Sequence, residues 1–238
     1  MFFGSKGLTN VTIPNSVTEI GLYAFVGCEG LTSITIPDSV TVIGHEAFRR
    51  CTGLTRINVD NNNQNYTSND GVLYNKDMTT LIRCPAKKQG SFTIPNSVTS
   101  IENYAFEDCT GLTRINVDNN NKIYTSNDGV VYSKDMTSLV CFPEGKQGEF
   151  TIPDSVVEIG EWAFDDCTRL TSITIPDSVV EIGEWAFYDC TGLTSITIPE
   201  SVSYIGEQAF SGCSAEITYK GQTYTPGNYE ELYKAING

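Results

Sequence analysis

Eight cysteines, one histidine and several clusters of carboxylates and asparagines are the residues of this 238-residue chain whose types could hold a metal or do chemistry. Six of the cysteines, Cys28, Cys51, Cys109, Cys167, Cys190 and Cys213, share one position of a recurring pattern, each three residues after a phenylalanine. Zinc ligation uses close pairs such as C-x-x-C, which a spacing of 23 does not supply. A disulfide needs Cβ atoms about 3.5–4.5 Å apart, whereas side chains repeated along a ladder at about 4.8 Å run parallel and stay further apart. Cys167, Cys190 and Cys213 on three consecutive units also leave a remainder on pairing. Buried thiols acting as small hydrophobes are expected, with no disulfide, no metal and no cofactor. The other two cysteines, Cys84 and Cys141, align with Phe142 and Arg83 respectively and are not equivalent.

The single histidine, His45, has no recurring serine or cysteine partner, so no catalytic residue is expected. Acidic pairs such as Asp165 and Asp166 recur with the pattern rather than around one pocket, which suits a solvated ridge better than general acid and base work. Asp60 to Asn63 and Asp118 to Asn121 offer oxygens for calcium. They lack the glycine and terminal glutamate of an EF-hand loop, so turn-forming asparagines are favoured and a weak Ca²⁺ site is the alternative.

The elements that position these residues follow from the spacing of Ile-Pro. Prolines at 14, 37, 95, 153, 176 and 199 are separated by 23, 58, 58, 23 and 23 residues, and 58 is 23 plus 35. A fixed period of this length marks a solenoid of stacked coils. Leu31, Ile34 and Ile36, alternating with Thr32, Ser33 and Thr35, read as a strand with hydroxyls outward. Pro37 ends it in a turn, Val40, Val42 and Ile43 form an extended arm, and Gly44 breaks the arm. His45 to Cys51 is too short for a stable helix and reads as one α or 3₁₀ turn that plugs Ala47, Phe48 and Cys51 into the core. Strand starts at Leu8, Leu31, Leu54, Gln89, Leu112, Gln147, Leu170 and Leu193 count about eight coils.

Residues 59–85 and 117–143 enlarge two coils. Asp70-Gly71 and Asp128-Gly129 are hairpin signals, and β-hairpins bulging from one face are expected, as a binding element or a spacer. The solenoid is expected over residues 1–213, its first coil incomplete. A cap over 214–238 follows, in which residues 216–225 form a hairpin that breaks the repeat and Asn228 N-caps a helix over 229–236. The incomplete coil leaves Phe2 and Phe3 without a neighbour, a liability for self-association.

The formal charge is −14, and residues 150–213 hold 11 Asp and Glu against Arg169 alone. Such a surface repels phosphates and anionic membranes, so neither nucleic acid nor membrane insertion is expected. The first ten residues lack the apolar core and cleavage site of a signal peptide.

The unit L-T-x-I-T-I-P-x-S-V-x-x-I-G-x-x-A-F-x-x-C, with the insert V-D-x-N-x-x-Y-x-S-x-D-G-V-x-Y-x-K-D, resembles the BspA-like, or Treponema pallidum-type, leucine-rich repeats. The resemblance implies a right-handed leucine-rich repeat solenoid. It also implies a non-enzymatic protein-interaction or adhesion module, at the cell surface or secreted, of a host-associated bacterium, with a protein or glycoprotein ligand. The other reading is a structural spacer that self-associates through its N-terminal edge.

Two surfaces could bind. The strand face carries Ser172 and Thr174 in a hydroxyl stripe interrupted by Arg56, Asn58, Arg114 and Asn116, although exposed strands favour threonine in any case. The turn face carries Trp162 and Trp185 just before the inward alanine, exposed for contacts or else stacked on each other.

Overall fold

The computed structural model describes residues 2–238. The chain is a β-solenoid of about nine turns with one C-terminal helix, and it divides into two compact units. One contains residues up to Gly90 with Pro95–Gly111, the other Ser91–Ile94 with Leu112–Gly238.

In the first unit the chain runs through β1 (Glu19–Ile20), β2 (Ser33–Ile36), β3 (Val42–Ile43), β4 (Arg56–Val59), β5 (Tyr66–Asn69), β6 (Val72–Asn75) and β7 (Thr80–Arg83). The second unit opens with β8 (Gly90–Ile94), whereas β9 (Ser100–Ile101) belongs to the first. The second unit continues with β10 (Leu112–Val117), β11 (Tyr124–Asn127), β12 (Val130–Ser133), β13 (Ser138–Cys141), β14 (Gly148–Thr151), β15 (Glu158–Ile159) and β16 (Leu170–Thr174). It ends with β17 (Glu181–Ile182), β18 (Ser195–Ile198), β19 (Tyr204–Ile205), β20 (Glu216–Tyr219), β21 (Gln222–Tyr224) and α1 (Tyr229–Asn237).

Two parallel ladders follow from the apolar pattern. In the strand ladder, β2 pairs with β4 residue for residue, Ile34 beside Ile57, and β14 pairs with β16. In the arm ladder, β13, β15, β17 and β19 pair in sequence, setting Leu139, Ile159, Ile182 and Ile205 in one buried row. Equivalent phenylalanines stack along the core: Phe2, Phe25 and Phe48 in the first unit, and Phe142, Phe164, Phe187 and Phe210 in the second, with neighbouring centroids 4.9–5.6 Å apart. Full burial of a side chain of this size stabilises by about 1.5–3 kcal/mol. Coils approach so closely that some positions admit only glycine: a Cβ on Gly44 would lie 2.4 Å from the Leu22 nitrogen.

The segment expected as one helical turn forms single i to i+3 turns, for example Ala24 N–H to Gly21 C=O at 3.2 Å. Two residues per coil hold left-handed backbone, Trp162 (φ 56°) and Asp166 (φ 51°) in one, Trp185 (φ 55°) and Asp189 (φ 49°) in the next. These reversals stop a helix from propagating and free alternate N–H groups to bond to the next coil. Trp162, Phe164 and Asp166 donate to the carbonyls of Glu184, Ala186 and Tyr188 at 3.2, 2.8 and 3.0 Å. Such bonding satisfies groups that a short turn would otherwise leave bare.

The inserts correct the expectation of bulging hairpins. Each is a three-stranded antiparallel run, β5-β6-β7 or β11-β12-β13, and its last strand joins the arm ladder. Val72, Leu73 and Tyr74 are buried, as are Val130, Val131 and Tyr132, because a continuous apolar run marks a strand covered on both faces. The hairpin turns sit against the strand ladder, where Ile57 and Ile115 donate to the carbonyls of Gly71 and Gly129 at 2.9 and 2.8 Å.

The chain end also differs from expectation. β20 does not break the repeat: it pairs in parallel with β18 from Ser195 beside Glu216 to Ile198 beside Tyr219, adding a further rung, and only β21 turns back. Asn228 precedes α1 but makes no side-chain cap; its Oδ1 instead accepts the Thr225 N–H at 2.7 Å. Phe2, expected without a neighbour, stacks on Phe25 on one side, while Phe3 is 63% exposed.

Candidate functional site

The recurring cysteines lie in the core and point at backbone. Cys51 donates to the Phe25 carbonyl (3.1 Å), Cys190 to that of Phe164 (3.0 Å) and Cys213 to that of Cys190 (3.5 Å). Burial pushes the thiols up, Cys51 to about 12, and does the same at Cys167, Cys190 and Cys213. A thiol held protonated in this way is neither a nucleophile nor a ready metal ligand at neutral pH.

The asparagine-rich turns are equally occupied. Asn63 is fully buried: its amide donates to the carbonyls of Pro37 and Val40 at 2.8 and 2.9 Å, and its Oδ1 accepts the N–H groups of Asn65 and Tyr66 at 2.8 Å. Asn121 Oδ1 accepts those of Ile123 and Tyr124 likewise. Asp60 Oδ1 accepts from Asn62 N–H at 2.8 Å. The oxygens considered for calcium thus stabilise turns.

In the first unit a charge cluster stands where the sequence reading had none. Arg49 bonds to Glu46 (2.8 Å) and to Glu107 (2.7 Å) and lies over the Tyr104 ring (4.3 Å to its centroid). Arg83 reaches Glu107 and Asp108, each at 3.4 Å, and donates to the Tyr104 carbonyl. Burial pushes the Glu107 carboxyl up, and Arg83 and Arg49 pull it back. The enlarged coil lacks the Ala-Phe turn, and the Arg83 side chain bonds to the turn of the coil that follows. The signal was present in the phase: Arg83 sits where the second insert has Cys141. His45, which the sequence offered as a lone titratable group, is exposed, 4.0 Å from Glu102.

The residues proposed to bind fall into separate places. Arg56 and Asn58 lie on β4 in the first unit; Arg56 is exposed, Asn58 is half-buried, and a Cβ on Gly71 would come within 3.0 Å of the Arg56 Cβ. Arg114 and Asn116 lie on β10 in the second unit, where Arg114 bonds to Asp128 at 3.2 Å and Asp128 bonds to Lys146 at 2.8 Å. Lys146 and Arg114 hold the Asp128 carboxyl below its ordinary range. Ser172 and Thr174 on β16 are exposed beside Glu149 and Thr151 of β14, and their hydroxyls have no intramolecular bond among the described residues. Elsewhere such hydroxyls bridge coils, as Thr55 does to the Thr32 carbonyl at 2.8 Å.

Trp162 and Trp185 lie on the turn side of their coils, apart from Ser172 and Thr174. Their rings stack at 5.0 Å with an interplanar angle of 4°, and Tyr188 meets both edge-on at 5.8 and 5.2 Å. Both tryptophans remain half-buried, with exposed Glu161 and Glu184 alongside. The stack follows from the repeat itself, since residues 23 apart share one left-handed position in successive coils.

Buried apolar rows, parallel ladders and a strand-turn-arm unit define a leucine-rich repeat solenoid. The chain belongs to the family of BspA type leucine-rich repeat regions, whose model matches six copies over residues 1–89, 84–140 and 135–225. No curated protein matches it. A leucine-rich repeat protein from Eubacterium ventriosum is similar with a TM-score of 0.57 and 25% identity, over 90% of this chain and 61% of that one. The pneumococcal vaccine antigen PcpA is similar in fold with a TM-score of 0.53 and 23% identity, over 84% and 54%. The chain therefore spans less than two thirds of the length of either. Among the described residues no helix is long and apolar enough to cross a membrane.

Proposed function

We propose that this chain is a non-enzymatic binding module for a protein or glycoprotein ligand, acting at the cell surface or after secretion as an adhesion element. The observation that carries the reading is the aromatic patch of Trp162, Trp185 and Tyr188, held rigid by stacking yet half-exposed and edged by glutamates. Tryptophan and tyrosine dominate binding hot spots because they offer large, amphipathic area at little entropic cost. The unbonded hydroxyls of Ser172 and Thr174 supply a second, polar contact surface on the strand face, and Arg56, Asn58, Arg114 and Asn116 flank the inserts as further contacts. The test is an array of matrix proteins, mucins and cell-surface glycoproteins probed with the chain and with its Trp162→Ala/Trp185→Ala variant. At least a tenfold loss of binding in the variant is expected. No binding above an unrelated solenoid would sink the reading, as would equal binding by the variant.

A second reading, self-association, rests on the apolar cleft of about 370 Å³ lined by Phe2, Val11, Ile13, Val17, Ile20 and Phe25. Light scattering showing a strict monomer whose size is unchanged by Phe2→Ser and Phe3→Ser would remove it.

A further inference from the structure

Each tryptophan of the aromatic patch stands between glutamates. Glu161 and Glu184 immediately precede Trp162 and Trp185 in the chain, and the backbone brings the next glutamate of the same column alongside: the N–H groups of Trp162 and Trp185 donate to the carbonyls of Glu184 and Glu207, both at 3.2 Å. A second column forms in the arm ladder, where Glu158 of β15 lies in register beside Glu181 of β17. All five glutamates are exposed, and none has a cationic partner among the described residues.

Like charges directly opposite on adjacent strands are destabilising, so the stability of the coils does not explain these columns. Solubility asks for charge anywhere on the surface and does not ask for indoles among it. Residues 150–213 contain 11 acidic side chains and Arg169 as their one basic residue, so the segment cannot neutralise itself. The surface beside the columns is apolar, with Val157 and Val180 each 40% exposed. Tyr204 follows Glu158 and Glu181 in their row and reports the charge: desolvation raises its phenol, Tyr233 adds to this, and Glu184, Glu181 and Glu207 raise it again.

The first unit shows within itself what answers such a surface. Tyr104 holds the same left-handed position of the repeat as Trp162 and Trp185, and the Arg49 guanidinium lies 4.3 Å from its ring centroid while bonding to Glu46 and Glu107 at 2.8 and 2.7 Å. The second unit repeats the aromatic ring and the glutamates without the arginine.

We infer that the tryptophan patch recognises an arginine-rich segment of a partner protein, its guanidinium groups packing on the indoles and bonding to the glutamates of the two columns as Arg49 does beside Tyr104. The inference rests on the patch being the binding surface and names the chemistry of its protein ligand. Guanidinium is planar and weakly hydrated, so it packs on rings and pairs with carboxylates at once, and tryptophan attracts a cation more strongly than the other aromatic rings. A sugar ring would also pack on indole. A neutral glycan, however, offers no charge to five unpaired carboxylates, and an acidic one is repelled.

The chain has two tryptophans, both in the patch, so indole emission reads the site directly. The probes are the blocked peptide Gly-Arg-Gly-Arg-Gly-Arg-Gly, its copy with neutral citrulline for arginine, and the neutral sugar maltoheptaose, titrated at physiological salt. A saturable change in emission is expected with the arginine peptide, at least tenfold weaker binding with the citrulline copy, and no response to the sugar. Glu161→Gln/Glu184→Gln should weaken the arginine peptide at least tenfold, whereas Asp154→Asn/Asp177→Asn, which removes as much charge from exposed residues after Pro153 and Pro176, should leave it unchanged. Equal binding of the citrulline copy, a response to the sugar alone, or equal loss in the two charge variants would overturn the inference. Silence of the arginine peptide would overturn it too. The proposed function would survive that silence if array ligands still lose binding on Trp162→Ala/Trp185→Ala, and would fall with the inference if they do not.

Discussion

At the residue scale the side chains that look reactive are those the fold consumes. Cys51 is 1% exposed and bonded to a carbonyl of the coil before it, and the other repeat cysteines follow the same plan. A thiol reagent at neutral pH should therefore modify the half-buried Cys141 first and the buried cysteines only on unfolding. Stability should also depend on pH with a definite sign. The folded pKa of Cys51 is raised from 9.0 to about 12, so the folded state holds its proton more tightly. The contribution is complete below pH 9 and is lost as pH rises toward 12, which urea titrations at pH 8 and pH 10.5 should detect as a fall. Asn63→Ala removes four hydrogen bonds of a buried amide, and at about 1 kcal/mol each a loss of about 3–4 kcal/mol is expected in urea unfolding. Glu107→Ala removes the buried carboxylate that Arg49 and Arg83 share, leaving Asp108 as the carboxylate beside buried Arg83, and should cost about 3 kcal/mol by the same measurement.

At the scale of elements, the regular coil was legible because its period is written in side-chain types: Ile-Pro for the strand end, Ala-Phe and Cys for the inward turn. The inserts were legible as antiparallel strands, since Asp70-Gly71 and Asp128-Gly129 name their turns, with φ of 51° and 77°, and 49° and 77°. Their destination was not legible. Whether a hairpin bulges or lies in the ladder depends on which strand β7 or β13 meets, a contact of long range that local pattern does not encode. A similar limit hid the charge cluster, because Arg49 and Glu107 stand 58 residues apart. The parallel pairing of β20 escaped for another reason, its Glu-Ile-Thr-Tyr lacking the family's proline. The turn glycines give a direct test of the observed placement. A Cβ on Gly129 would lie 2.8 Å from the Arg114 Cβ at a left-handed φ, so Gly129→Ala should destabilise by about 1–3 kcal/mol. A hairpin projecting freely would tolerate that change.

At the scale of the whole molecule, repetition decides what kind of function the chain can have. Each coil presents the same side-chain positions again, so surfaces arise as rows, and differences within a row are where selectivity can reside. One left-handed position of the repeat carries Tyr23, Glu46, Tyr104, Trp162, Trp185 and Gln208 in turn, and in the second unit Trp162 and Trp185 make of it an aromatic plate. Position along the row was readable from sequence, and so was the possibility of stacking. What sequence left open was whether stacking would bury the pair, and both tryptophans stay half-buried. The central claim, that this plate binds a macromolecular ligand, is tested most directly by quantitative binding of the chain and its Trp162→Ala/Trp185→Ala variant to the same immobilised glycoprotein panel, with urea unfolding confirming that the variant is folded. The account predicts saturable binding by the parent chain and at least a tenfold weaker affinity for the variant; equal affinities would contradict it.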